Sequence, residues 1–482
     1  MNAITLWMEK YFVPLAAKIG GQKHLIALRD AFIGTMPATM AGAIAVMINA
    51  IVRDLPAKFF PGYDGSTVPV IKEIIGINGF VWNGTLAIVG VIFAFSWGYN
   101  LAKAYHVNEL AGGIVSLAAL IQGVGFSFSS TAAVKLPTAA VKLPTAVAKA
   151  INGGTATSGM SYSDGTLTAG GWGWLKLGQL DGNAYFVIMV MGALATIIYA
   201  KLMLKEITIK MPDSVPPAVA KAFTAIIPAT VALYITAIIY YVFSITLGKN
   251  GDVMITWVQK TIAEPFMNIG QSLGAILLVT FLVSLMWLFG LHGSNVMAPV
   301  LEGIWGVGLL KNSNVYQAGG MKAVKAAIKA GNGDAYMWVR NSFDSYAWFG
   351  GVGGTITLLI MILALSKRED YRVVAKLGIG PSVFNINEPV MFGLPIVLNP
   401  IFFIPFILAP LAGVTIGYVA TALHLVDPIV TAVPWVVPPF LMSLMATAYD
   451  WRAPIVTLVS FIVALAIWAP FVIAANGTKS VD

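Results

Sequence analysis

The sequence predicts an all-α polytopic membrane protein with about ten spans, and three observations carry that prediction. Of 482 residues, 58% are hydrophobic and only 10% charged, where soluble domains carry roughly 25% charged residues. Mean hydropathy is +0.82. Apolar runs of the roughly 20 residues a helix needs to cross a bilayer recur along the whole chain.

In order, residues 1–30 read as a basic interfacial helix, with Lys10, Lys18, Lys23 and Arg29 set among apolar side chains. No short apolar stretch with a small-residue cleavage site opens the chain, so no cleaved signal peptide is expected. Spans follow at 31–51, 74–101, 110–128, 182–200 and 223–247. Residues 252–267 read as a second amphipathic interfacial helix, and further spans are expected at 272–289, 345–366, 395–423 and 453–473. Two more apolar runs, 290–310 and 428–449, are broken by Gly and Pro, as re-entrant or hairpin pieces are. That makes nine clean spans and one or two ambiguous ones, with ten as the expected total.

The formal charge of +8 is spread between apolar runs, which suits positive cytoplasmic loops and not nucleic-acid binding. The N-terminal bases and the cluster Lys201, Lys205, Lys210 and Lys221 both read as cytoplasmic, consistent with an even number of spans between them. The segment 129–181 then faces outside as a Gly/Ser/Thr-rich loop, with the heptapeptide starting at Ala133 repeated from Ala140. Basic stretches at 311–340 and 367–376 are separated by one span, so the rule leaves the second half unoriented. The chain has no cysteine, which removes disulfides, thiolate metal sites and phosphocysteine chemistry from this polypeptide.

Polar groups that break apolar stretches gather after residue 250, so 1–250 reads as a scaffold and dimerisation half and 251–482 as the transport half. Glu388 stands at the mouth of the longest uncharged run, 389–426, in Asn385-Ile386-Asn387-Glu388-Pro389. A charge at such depth costs several kcal/mol unless a partner or polar ligand offsets it; a solvated interfacial carboxylate is the plainer alternative. His292 sits in Gly290-Leu291-His292-Gly293-Ser294-Asn295, where glycines let the backbone bend. A satisfied core histidine is its plainer alternative, but Ser294 and Asn295 add groups that donate and accept as hydroxyl-rich solutes do. Trp287 and Trp451 are candidate platforms for the apolar face of a sugar ring. Asp450 and Arg452 beside Trp451 read equally well as an interfacial ion pair. No nucleotide-binding loop is present. His24, His106, His292 and His424 are too scattered for a metal spacing, and no metal or cofactor is expected.

The His-Gly-Ser-Asn and Asn-Ile-Asn-Glu-Pro elements, with Met211-Pro212-Asp213-Ser214-Val215-Pro216-Pro217 before a span, resemble the sugar permease, or IIC component, of the bacterial phosphotransferase system. Within it the likeness is to the lactose/cellobiose/diacetylchitobiose branch, over essentially the whole chain apart from 129–181. The resemblance implies a homodimer in the cell membrane, with ten transmembrane helices and two re-entrant hairpins per chain. It implies that His292 and Glu388 contact the hydroxyl to be phosphorylated, with Trp287, Asn295, Asn385, Asn387 and Trp451 as the remaining candidate sugar contacts. A separate phospho-IIB protein would deliver phosphate from a cysteine, since no phosphocysteine domain is in this chain. The lack of a fused IIB tilts the expected substrate to cellobiose or another β-linked disaccharide over lactose. An ion-coupled secondary sugar transporter, with Glu388 and His292 moving protons, is the alternative from another class. A membrane receptor without transport is a third reading, which the polar sites in the second half oppose.

Overall fold

This computed structural model describes residues 22–476, apart from 61, 134–159, 164, 165, 213, 249–252, 395 and 398. The N-terminal segment up to residue 21 and all of the tandem repeat but Ala133 lie outside the described residues.

Helix α1 (Lys23–Asn49) opens at Gln22, whose side-chain oxygen accepts from the Leu25 amide at 2.7 Å. It runs on through a π-helical turn, Ala50–Asp54, and ends at Leu55–Phe59. Helices α2 (Pro69–Asn83) and α3 (Val89–Ala104) come from one apolar run, interrupted just after Gly84, where Thr85 leaves helical geometry. Helix α4 (Glu109–Gln122) starts at Asn108, whose side chain accepts from the Ala111 amide. A Cβ on Gly98 of α3 would fall 2.2 Å from the Gly112 carbonyl oxygen of α4. Only glycine permits that approach, the close small-residue contact by which membrane helices associate.

The expected loop at 129–181 is not wholly irregular. After α4 the chain forms a three-stranded antiparallel sheet, β1 (Ser127–Ala133), β2 (Met160–Ser163) and β3 (Thr166–Trp172), ordered β1-β3-β2. The expected span 110–128 therefore ends early, at Gln122, and the all-helical reading holds for the membrane part but not for this segment. Helices α5 (Ala193–Leu204) and α6 (Pro217–Thr246) close the first half.

The stretch Met254–Ile269 is helical and meets α7 (Leu273–Leu288) at a bend of 80°. Short helices Gly293–Val296 and Ala298–Val300 and a π-helical segment, Leu301–Gly306, lead into α8 (Val307–Ala330). There follow α9 (Arg340–Tyr346), α10 (Thr355–Leu365), α11 (Glu369–Val383) and α12 (Glu388–Gly393). Helices α13 (Pro400–Ala422), α14 (Pro439–Ala446) and α15 (Arg452–Ala475) complete the chain. The run 345–366 is not one span: Gly350, Gly351, Gly353 and Gly354 all take positive φ between α9 and α10. Side chains at those angles would be strained, so the glycines force a turn inside an apolar stretch.

Among the described residues six helices are long and apolar enough to cross a membrane, or seven if the bent pair counts as one span. That is fewer long spans than the ten read from the sequence. The remaining apolar runs fold as shorter or broken helices, because Gly and Pro interrupt hydrogen bonding that hydropathy does not register.

Candidate functional site

A cavity of about 460 Å³ lies between α1 and the broken elements of the second half, within the roughly 300–1,000 Å³ of small-molecule sites. His292 reaches it because two glycines shape the chain around it. Gly290 takes φ +76, and a Cβ on Gly293 would lie 2.0 Å from the Val283 carbonyl oxygen, so the turn can press against α7. His292 then caps Gly293–Val296, its Nδ1 accepting from the Asn295 amide at 3.2 Å. With Nδ1 used as an acceptor, the proton of the neutral ring resides on Nε2.

The Asn-Ile-Asn-Glu-Pro element is a bracket. Asn385, at φ +60, accepts from the Gly350 amide through Oδ1 and donates through Nδ2 to the carbonyls of Trp435 and Val437. Asn387 donates to the Val352 carbonyl at 3.1 Å. A Cβ on Gly351 would sit 2.6 Å from the Asn387 side chain, so the glycine turn is what makes room for that amide. Both asparagines line the cavity, but these bonds are spent on holding backbone in place. Glu388 follows as the first residue of α12, with Pro389 beside it in the first helical turn, where proline needs no partner.

The result brings His292 Nε2 to 3.7 Å from Glu388 Oε1, a spacing that a hydroxyl or water could bridge. Both side chains keep part of their surface open, 38% and 47%. Trp287 stands behind them, its ring centroid 4.3 Å from that of His292 and only 3% exposed. It supports the histidine more than it offers a face. Asn295 and Ser294 also line the cavity.

Trp451 is not brought to this site. It is 70% exposed and does not line the cavity. Its neighbours form a closed ion cluster: Arg452 contacts Asp450 at 2.8 Å and Asp427 at 3.1 Å, and Lys325 contacts Asp427 at 2.6 Å. The ion-pair reading is the one the geometry fits.

Sequence reasoning missed a second polar group in the cavity wall. Arg340 donates to Glu302 at 2.9 Å and to Asp344 at 2.7 Å, and lies 5.1 Å from the centre of the Trp348 ring. All four residues line the cavity, as does Trp435. Glu302 is the one acidic residue in the run 290–310, a signal that was open to reading. Arg340 was hidden among the bases of 311–340. From the first half come Thr35, Met36, Thr39 and Met40 of α1.

The family profile described as "Phosphotransferase system, EIIC" matches residues 29–410. The chain is 51% identical, over the full length of both, to the PTS system cellobiose-specific EIIC component of Lactococcus lactis. It is 29% identical to the lichenan permease IIC component of Bacillus subtilis, over 98% of this chain and 93% of that one. Among solved structures it is similar to the transporter ChbC, the IIC component from the N,N'-diacetylchitobiose-specific phosphotransferase system. The TM-score is 0.80 at 27% identity, covering 98% and 97% of the two chains.

Proposed function

The chain belongs to the phosphotransferase system EIIC family, as a multi-span sugar permease of the bacterial membrane, and on that premise we propose that its cavity takes a β-linked disaccharide, cellobiose first, and presents it to a separate phospho-IIB. The observation that carries the reading is the open pair His292–Glu388, 3.7 Å apart on one wall of the cavity. The 51% relative named as cellobiose-specific supports the choice of sugar.

In this reading a primary hydroxyl of the sugar lies between the two side chains. His292 Nε2–H donates to the hydroxyl oxygen and fixes its direction. Glu388 accepts the hydroxyl proton as the oxygen attacks the phosphorus of the phosphocysteine on IIB, and the thiolate leaves. The product then carries about −1.5 to −2 charge, is repelled by Glu388, and departs to the cytoplasm. Residues 251–482 hold the sugar, and 1–250 supply the scaffold and the homodimer contact, with the α1 face as the wall the sugar moves against. Ten passages and two hairpins are reached if shorter or broken pieces cross together with their flanking residues beside the six long helices, namely α4, α7, the stretch Leu301–Ala330, which kinks at Gly320, and α10. Residues 340–354 and 428–449 would then be the hairpins; 340–354 takes the place of the 290–310 run expected from sequence, whose short helices lead directly into Val307–Ala330.

Two measurements test this. Titration of the purified protein with cellobiose, lactose, diacetylchitobiose and gentiobiose should rank cellobiose tightest; a preference for lactose would overturn the assignment of substrate. Uptake into vesicles should require phospho-IIB and ignore a proton gradient; the reverse would establish ion-coupled transport.

A further inference from the structure

A second cavity, about 220 Å³, lies against the far end of the same α1 face. Met36, Met40 and Ala43 line the main cavity, and Val46, Ala50 and Arg53 line the second. Their spacing of three and four residues keeps them on one stripe of the helix. The facing helix behaves the same way, with Leu309 and Leu310 on the main cavity and Ser313, Tyr316 and Gln317 on the second. Thr431 and Ala432 are neighbours in sequence and line one cavity each. The two spaces are therefore stacked end to end along a single seam between α1 and α8, divided by a collar of small and aliphatic side chains.

The chemistry of the second cavity is that of a neutral, hydroxyl-rich ligand. Asn78 donates to Asn49 at 2.7 Å, and both amides line the space, with one donor of Asn78 and one acceptor position of Asn49 spent on that bond. Asn83 and Gln317 add two exposed amides, and Trp82 and Tyr316 add flat aromatic surface. Arg53 and Asp54 neutralise one another through two contacts, at 2.7 and 3.2 Å, so the wall has no net charge. Hydroxyl groups bind amides as donor and acceptor at once, and ring faces bind aromatics. At about 220 Å³ the space is smaller than sites that enclose a whole ligand, which suits a transient hold on one sugar ring.

We propose that this cavity is the outer vestibule of the transport path, a weak disaccharide-binding station that loads the main cavity through the Ala43/Val46 collar. Its side follows from α1. The bases Lys10, Lys18, Lys23 and Arg29 flank the start of that helix, which places the start in the cytoplasm. Residues 46–54 then lie toward the outside. The inference rests on the permease reading above for its ligand, but its geometry stands apart from the phosphorylation step.

The chain contains no cysteine, so a single Gln317→Cys variant reports one position. In right-side-out vesicles without IIB it should react with a membrane-impermeant maleimide added outside, and saturating cellobiose should slow that reaction at least threefold. Reaction only from the inside, or no protection by sugar, would overturn the proposal. The double variant Asn83→Ala/Gln317→Ala should raise the apparent KM for external cellobiose roughly tenfold, the effect of losing two ordinary hydrogen bonds. Phosphorylation by phospho-IIB in detergent, where the cytoplasmic mouth is open to solution, should keep its kcat. An unchanged uptake KM in protein inserted at wild-type level would also overturn it. If the wild type showed no IIB-dependent uptake, the phosphotransferase mechanism would fail instead, and maleimide protection would still judge the vestibule.

Discussion

Two clusters of ionisable side chains sit in the second half of the chain, and they differ in whether their valences are closed. At Asp427, Asp450, Arg452 and Lys325 each charge meets an opposite charge within 2.6–3.1 Å. The Asp450 carboxylate also accepts from the amides of Asp427 and Arg452. At His292 and Glu388 the one mutual contact is 3.7 Å long and both groups face a cavity. In sequence both offered ionisable residues at the edge of an apolar run, Asp450 and Arg452 on either side of Trp451, and His292 five residues after Trp287 with Glu388 a further 96 along the chain. The difference teaches that an ionisable residue at membrane depth points to a ligand when its partners are missing, and to architecture when they are present. The Glu302–Arg340–Asp344 group stands between the cases, closed in its pairing yet part of the cavity wall.

The largest effect that would sharpen this contrast is expected at Glu388. Glu388→Gln keeps shape and loses basicity, so sugar phosphorylation should fall about 10²–10⁴-fold, the usual worth of a general base. A rate near wild type with purified phospho-IIB would remove Glu388 from the chemistry. Arg340→Met comes next. It leaves Asp344 unpaired in the interior and Glu302, 40% exposed, unpaired on the cavity wall, and should cost about 3 kcal/mol of stability, the low end for a broken buried pair, read as a lowered melting temperature in detergent. Adding Glu302→Gln and Asp344→Asn should recover much of that loss; no recovery would mean the arginine acts otherwise than by charge pairing.

A matched pair follows, of similar size on opposite readouts. His292→Ala should weaken cellobiose binding by about 1–3 kcal/mol, the cost of an unmet polar partner, with little change in melting. Arg452→Met should lower stability by about 1–3 kcal/mol and leave the calorimetric affinity alone. If the readouts were exchanged, the distinction between open and closed clusters would not hold. The smallest effect is expected at Trp451. Trp451→Ala removes a side chain that is 70% exposed and outside the cavity, so affinity should change by less than about 0.5 kcal/mol.

What could be read in the sequence was whatever a local pattern encodes. The Asn-Ile-Asn-Glu-Pro and Gly-Leu-His-Gly elements announced their residues because bends, caps and an isolated carboxylate are local matters. The start of α7 was legible for the same reason, with Ser272 capping it. Asn385 and Asn387 were recognised as important, but their bonds to backbone at 350–352 and 435–437 needed the tertiary fold to appear. Arg340 had a local partner open to reading in Asp344, four residues on, but its bond to Glu302, 38 residues away, was not legible and its own segment looked like a basic loop. The missing long spans have a similar cause. Hydropathy counts Gly350 to Gly354 as innocuous small residues, whereas their four positive φ angles turn the chain.

That glycine turn has a consequence for how the interior handles water. Backbone that leaves a helix at membrane depth exposes carbonyls, and these attract stray solvent. Here the Gly350 carbonyl accepts from the Thr355 hydroxyl, Val352 from the Asn387 amide and Gly353 from the Trp468 indole N–H. The carbonyls of the turn are thus engaged within the protein, although its backbone is irregular. A passing solute therefore finds few free backbone acceptors at the turn itself, which serves the cavity as a smooth flank and leaves the holding to side chains such as His292 and Glu388.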